Sequence, residues 1–178
     1  TLNRLGLVEQ MNARAFVKKY SVQFVTPDGR QSQPFYFFQH LDHEAAVTWQ
    51  VLRSEFDTML LENAREKGAD VFEQTRARDL LRNSSGRVEG VNAEDASGTR
   101  REYRAPITID ASGRDALAIA RGKWRVRDPY LNKIAIWTYY RGAKRDPGLD
   151  EGATTVAFVP EKGWFWYIPL PNDIVSVG

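Results

Sequence analysis

The run Gly163-Trp164-Phe165-Trp166-Tyr167-Ile168-Pro169-Leu170 sets four aromatic residues in succession ahead of a proline. Read as a strand, it puts Trp164, Trp166 and Ile168 on one face and Phe165 and Tyr167 on the other. Pro169 has no N–H to give a ladder, so pairing is expected to stop there. Turn residues at 160–163 and 171–173 bracket the run, and 154–159, 174–177 and 134–140 read as further strands. Nine of the 21 aromatic residues lie between Tyr130 and Tyr167. A sheet loaded in this way covers a large core or lines a pocket for a flat apolar ligand. Two tryptophans on one face would form a rigid wall.

Upstream the period changes. Phe56, Met59, Leu60 and Ala64 form one stripe with Leu61 at its edge, which predicts a helix over 54–67. Ser54 stands where an N-cap would, Asp57 where a capping-box acceptor would, and Gly68 at the natural C-terminal stop. Short strands are expected at 71–74, 77–82, 88–93 and 100–104, turned at Asn83-Ser84-Ser85-Gly86 and Asp95-Ala96-Ser97-Gly98. A short buried strand at 106–110 should end in Ala111-Ser112-Gly113 and lead into a second helix at 114–121. Ahead of all this, 1–10 reads as a short amphipathic helix and 16–26 as a strand. Pro27-Asp28-Gly29 is a turn, and 35–38 is the return strand of a hairpin.

Composition narrows the function classes. The 178 residues carry 25 basic and 23 acidic side chains, a net charge of +2 spread too evenly to announce a nucleic-acid binder. With 42% hydrophobic and 27% charged residues the chain should pack a globular core. No cysteine is present, which excludes disulfides, thiolate metal sites and cysteine catalysis within this stretch. Charge-free stretches such as 163–172 fall short of the ~18 apolar residues of a membrane helix, and a cytoplasmic location is expected. Thr1 opens inside an amphipathic segment and Gly178 closes straight after a strand, as in a piece of a longer protein.

Several constellations have two readings. No two glycines stand in a G-x-G spacing, so neither a dinucleotide fingerprint nor a P-loop is present. His40 and His43 are the only histidines, and a catalytic zinc or iron site needs a third ligand; they read as part of a polar loop, with no metal site expected. Arg53 precedes the best helix, where a cation meets the positive end of the helix dipole: it either attends an anion or is simply solvated. Asp110-Ala111-Ser112-Gly113 allows close backbone approach by a ligand, or is an ordinary strand–helix turn. Lys18 and Lys19 interrupt an otherwise apolar strand, so one of them points inward. A partly buried lysine is costly unless neutralised or used, and burial lowers its pKa; on an edge strand both could instead reach water.

With these positions in view, the sequence resembles the flavin-dependent monooxygenase superfamily and, within it, the flavin-dependent halogenases. Leu5-Gly6-Leu7 before Phe16-Val17-Lys18-Lys19-Tyr20 opens the resemblance. Gln50-x-x-Arg53-x-x-Phe56-Asp57-x-x-Leu60-Leu61-x-x-Ala64-x-x-x-Gly68-Ala69 looks like the helix these flavoproteins share. Ile109-Asp110-Ala111-Ser112-Gly113-Arg114 looks like their second flavin-contacting turn, and Asp128-Pro129-x-Leu131-Asn132-Lys133 continues the pattern. Trp164-x-Trp166-x-Ile168-Pro169 is the halogenase signature and the most specific element.

The resemblance implies an α+β/α/β, p-hydroxybenzoate-hydroxylase-like architecture. Part of a Rossmann-like FAD domain would interleave with a mostly antiparallel β-sheet substrate domain. Segments 1–48 and 122–178 would belong to the substrate side and 49–121, with its inserted meander, to the FAD side. It further implies bound FAD, reduced by a separate flavin reductase and converted by O2 to a flavin hydroperoxide. Chloride or bromide would be oxidised to hypohalous acid and guided through a tunnel to a lysine beside an electron-rich aromatic substrate, free or carrier-tethered. The family's lysine stands five before a strand phenylalanine, which selects Lys19 by its spacing to Phe24. Arg53 would approach the FAD pyrophosphate, and Asp110, Ser112 and Gly113 its ribitol or ribose side. Trp164, Trp166 and Pro169 would wall the flavin from the substrate. Where many relatives carry Asp-Gly and a glycine two after the lysine, this chain has Ser112-Gly113 and Ser21. A glycine-rich FAD fingerprint is expected before residue 1, and a flavin and halide segment after residue 178. The alternatives are a related FAD-dependent hydroxylase or geranylgeranyl-reductase-like oxidoreductase, and a non-enzymatic module that binds aromatic ligands.

Overall fold

The computed structural model describes residues 1–131, 133–161 and 163–178. Asn132 of the Asp-Pro-x-Leu-Asn-Lys stretch and Lys162 of the 160–163 turn lie outside the described residues. The chain forms two compact units, one from Thr1–Ala69 with Ile134–Gly178 and one from Asp70–Lys133. In chain order the elements are α1 (Leu2–Leu5), α2 (Val8–Ala13), β1 (Val17–Lys19), β2 (Ser21–Val25), β3 (Phe35–Tyr36), β4 (Thr48–Gln50) and α3 (Arg53–Glu66). They continue with β5 (Arg76–Arg82), β6 (Val88–Glu94), β7 (Arg100–Arg104), α4 (Leu117–Gly122), β8 (Thr138–Arg141), β9 (Thr154–Val159), β10 (Gly163–Leu170) and β11 (Ile174–Val177).

In the first unit a six-stranded sheet runs β3-β2-β9-β10-β11-β8. Only the β2–β9 pair in it is parallel. The two aromatic faces of β10 follow from its register: Trp164 lies opposite Phe158 and Trp166 opposite Val156, while Phe165 lies opposite Ala157 and Tyr167 opposite Thr155. Pro169 does not end pairing on both sides as expected. Its missing N–H faces β9, where the ladder stops at Tyr167, while the β11 ladder continues through Pro169–Val175 to Leu170–Ile174. The reason is the alternation of hydrogen-bonded pairs: Trp166 and Gly178 exchange both backbone bonds, so Pro169, three residues on, falls at a non-bonded pair.

The strand expected over 16–26 is broken at Tyr20. Its first half, β1, pairs antiparallel with β4 as a two-stranded sheet, and its second half joins the large sheet. The return strand 35–38 shortens to β3, because the chain turns into a 3-10 helix over Phe37–Gln39. The helix expected over 1–10 divides into α1 and α2 at Gly6, which sits at φ 72°. Leu7, Met11, Phe16 and Met59 form the buried cluster, with Leu2, Leu5, Trp49, Val51, Phe56 and Leu60 packed on it. The apolar stripe of α3 thus seals this core, and Asn63 takes the next buried position.

Helix α3 starts one residue before the expected cap. Leu52 is the N-cap without a side-chain bond, Ser54 is already helical, and Asp57 turns to Arg53 instead of closing a capping box. At the other end Gly68, at φ 88°, donates to the Arg65 carbonyl and Ala69 to the Ala64 carbonyl. These are the two bonds of a Schellman stop.

The second unit is a three-stranded antiparallel meander, β5-β6-β7. Asn83 and Asp95 side chains accept backbone N–H bonds across its two turns. Three expectations fail in this unit. Residues 71–74 are irregular and turn at Glu73 and Gln74, the latter at φ 52°, and are not a strand. Residues 106–110 are not a buried strand: they lie in no described ladder, and Ile107 and Ile109 are 78% and 84% exposed. A strand exists only where a neighbour takes its backbone bonds. The helix expected at 114–121 becomes a 3-10 turn over Gly113–Asp115 followed by α4, separated by Ala116 at φ 45°. In the first unit, similarly, 134–140 is strand only from Thr138 on. Among the described residues no helix is long and apolar enough to cross a membrane.

Gly152 is buried where the 148–150 turn enters β9, and a Cβ there would overlap the backbone carbonyl of Lys18. Gly152→Ala should therefore lower the unfolding free energy of the full-length protein by about 2–4 kcal/mol, read by denaturant titration. An unchanged midpoint would show that β1 does not rest on this glycine.

Candidate active site

Strand β1 ends at Lys19, opposite Thr48 of β4. Lys18 is exposed beside Trp49, whereas Lys19 is half-buried with its Nζ 5.7 Å from the centre of the Phe37 ring. Burial pushes the Lys19 ammonium below the ordinary lysine value. The aromatic face at 5.7 Å offers the cation a weak attraction without a proton acceptor.

Two residues on, Ser21 is fully buried, and its Oγ donates to Asp150 Oδ1 at 3.1 Å. Tyr36 donates its phenol to the other oxygen of Asp150 at 3.0 Å, and that bond raises the Tyr36 pKa. Asp150 therefore ties β2, β3 and the Gly148–Asp150 turn together directly after Lys19. Sequence reasoning missed it, and no local signal could have found it, because Asp150 and Ser21 are 129 residues apart.

Trp164 and Trp166 share a face of β10 but differ in surroundings. Trp164 is 57% exposed, whereas Trp166 is half-buried and donates its indole Nε1 to Ser176 Oγ at 3.2 Å. Pro169 is buried. The opposite face holds an open recess of about 460 Å³, lined by Val25, Thr155, Ala157, Phe165, Tyr167 and Val177 together with Trp166. The small side chains of Thr155 and Ala157 leave room between Val25 and the two rings, and the Tyr167 hydroxyl is fixed on the Lys144 carbonyl at 2.5 Å. Among the described residues, the aromatic ring that Lys19 Nζ faces is that of Phe37.

Arg53 is the first residue of α3. Its Nε and Nη2 each donate to an Asp57 oxygen at 3.0 Å, and its side chain is 76% exposed. In the second unit Asp110 is spent on its own turn. Its Oδ1 accepts from the Ser112 amide at 3.0 Å and the Ser112 hydroxyl at 2.5 Å, and its Oδ2 from the Ala118 amide at 2.7 Å. These bonds, the Ser112 hydroxyl first, hold its carboxyl below the usual range. Ser112 Oγ in turn accepts from the Leu117 amide at 2.9 Å. Gly113 stands at φ 62° with open space where a Cβ would be. The histidines have local roles: His40 stacks on Phe35 at 4.2 Å, and His43 Nδ1 accepts from the Ala45 amide.

Residues 5–178 match the protein family described as tryptophan halogenase. The chain is 31% identical to a 1H-pyrrole-2-carbonyl-(peptidyl-carrier protein) brominase of Pseudoalteromonas luteoviolacea, over 98% of this chain and 41% of that protein. It is also 31% identical to a sulochrin halogenase of Aspergillus terreus, over 99% of this chain and 36% of that protein. Among solved structures, the flavin-dependent halogenase CmlS superposes with a TM-score of 0.84 at 31% identity, covering 99% of this chain and 32% of that one. The chain thus spans about two fifths or less of the length of these relatives.

Lys19 supplies a direct check on this geometry. Its rate of acylation by a succinimidyl ester, followed by peptide mass spectrometry on the native full-length protein, should rise to its plateau with a midpoint below 10.5. Between the lowered folded value and 10.5 the unfolded chain binds more protons, so stability should rise with pH across that window. A midpoint at or above 10.5 would contradict the burial of this amine.

Proposed function

Since the chain belongs to the tryptophan halogenase family, whose relatives are flavin-dependent halogenases, we propose that it is part of a flavin-dependent halogenase acting on an electron-rich aromatic substrate. Lys19 is proposed as the catalytic residue, and its half-buried ammonium with a lowered pKa is the observation that carries the reading. Segments 1–48 and 122–178 are proposed to serve the substrate side and 49–121 the flavin side.

Two features of the chain suit an anionic, planar cofactor such as FAD. Asp57 occupies only the Nε–Nη2 edge of Arg53, so the Nη1 edge is available to a pyrophosphate. Gly113 offers an open, positive-φ backbone for close approach. Asp110 and Ser112 act through this turn, since their own polar atoms bind it internally. When bound, reduced FAD would supply, with O2, the oxidising equivalents that convert halide to hypohalous acid; a separate reductase would keep it reduced.

Lys19 then handles the oxidant. As a neutral amine it gives up a proton and takes the halogen from hypohalous acid, releasing water; as an ammonium it holds the acid by a hydrogen bond. The aromatic carbon attacks the electrophilic halogen as its bond to the lysine nitrogen or to the acid's oxygen breaks. The ring proton passes to that nitrogen or oxygen, giving back the free amine or releasing water. Desolvation favours the neutral form, which explains why a half-buried lysine suits this task better than its exposed neighbour Lys18. Trp164, Trp166 and Pro169 are proposed to keep the substrate off the flavin, with Trp166 held by Ser176 as the rigid member. The relatives include enzymes named for a carrier-bound pyrrole and for sulochrin, so both carrier-tethered and free aromatics fit this reading.

Lys19→Met in the full-length protein, assayed with FAD, a reductase and halide, should cut halogenated product at least about a hundredfold. Flavin reoxidation with halide should continue. An unchanged product yield would remove Lys19 from catalysis.

A further inference from the structure

Resting on the reading that Arg53 meets the cofactor's phosphates, we propose that Asp57 is a positioning residue, gripping one edge of the Arg53 guanidinium so that the other faces the cofactor. The two residues are four apart at the start of α3, on one face of the helix. Both distances of the fork are 3.0 Å, Nε to Oδ1 and Nη2 to Oδ2, so the guanidinium plane is fixed and not merely neutralised. The fork uses two of five donors and leaves the Nη1 pair and one Nη2 hydrogen. An unclamped arginine would lose its rotamer freedom on binding; here much of that ordering precedes the ligand. The pair also reconciles Arg53 with the positive end of the α3 dipole.

Charge and orientation oppose one another at this position, and that separates the two explanations. A carboxylate beside an anion site weakens anion binding by Coulomb's law. Removing it should tighten binding if Asp57 is only a neighbouring charge, and loosen binding if it aims Arg53.

The test is equilibrium titration of the full-length apoprotein with FAD, followed by quenching of flavin fluorescence at fixed salt. Asp57→Asn should raise the FAD Kd about five- to tenfold. Asp57→Glu, which can restore the fork, should recover most of that loss. Glu55→Gln removes the same charge from the same helix turn and should leave Kd unchanged or lower it. Asp57→Asn added to Arg53→Gln should change Kd less than about twofold, since nothing remains to aim. Apoprotein melting temperatures should stay within about 2 °C, as expected for an exposed pair. If Arg53→Gln weakens FAD while Asp57→Asn leaves it unchanged or tightens it, the positioning role is overturned and the Arg53 contact stands. If Arg53→Gln has no effect on Kd, both fall together.

Discussion

The placement of Lys19 depends on one buried amide. Gln50 Nε2 donates to the Gly152 carbonyl at 3.1 Å and to Thr154 Oγ1 at 2.8 Å. Gln50 belongs to β4, the partner of the lysine strand, while Thr154 opens β9 at the middle of the large sheet. Left unpaired at that depth, the amide would cost about 1–3 kcal/mol, so the two sheets are locked in one relation at this point. Gly152 completes the joint, because the Lys18 carbonyl occupies the space a side chain would need. Asp150 adds a third tie, through Ser21 and Tyr36. The strand with the candidate lysine thus pairs with a strand anchored by Gln50 and runs on into one anchored through Ser21 and Asp150.

What the sequence discloses about this arrangement is local. The strands at 154–159 and 174–177 each have β10 as a hairpin partner a few residues along the chain, and with the apolar stripe of α3 and its Gly68 stop they stand where periodicity puts them. The losses occur where a distant partner decides. Residues 71–74 and 106–110 carry strand-forming side chains but lie in no described ladder. The 16–26 run divides at Tyr20 because two different sheets claim its halves. The Ser54 and Asp57 capping pattern gives way to the stronger charge-assisted fork with Arg53.

The candidate site divides in the same way. Alternation requires one of Lys18 and Lys19 to turn inward without saying which; the structure buries Lys19 in part and exposes Lys18. The Trp164 and Trp166 face was legible from a two-residue period, but the recess lies on the Phe165 and Tyr167 face, where small residues from a neighbouring strand make room. Asp110 and Ser112 stand out in the sequence as a small-residue turn, and their bonds across that turn and the open Gly113 beside them depend on the folded backbone. Membership of the tryptophan halogenase family supplies the chemical context that geometry alone would not.

The product formed by the full-length protein separates halogenation from hydroxylation. Supplied with FAD, a reductase, O2, bromide and a panel of phenols and pyrroles, it should yield brominated aromatics, identified by the bromine isotope pattern, with none when bromide is omitted. A hydroxylated product that forms equally without halide would contradict the halogenase assignment.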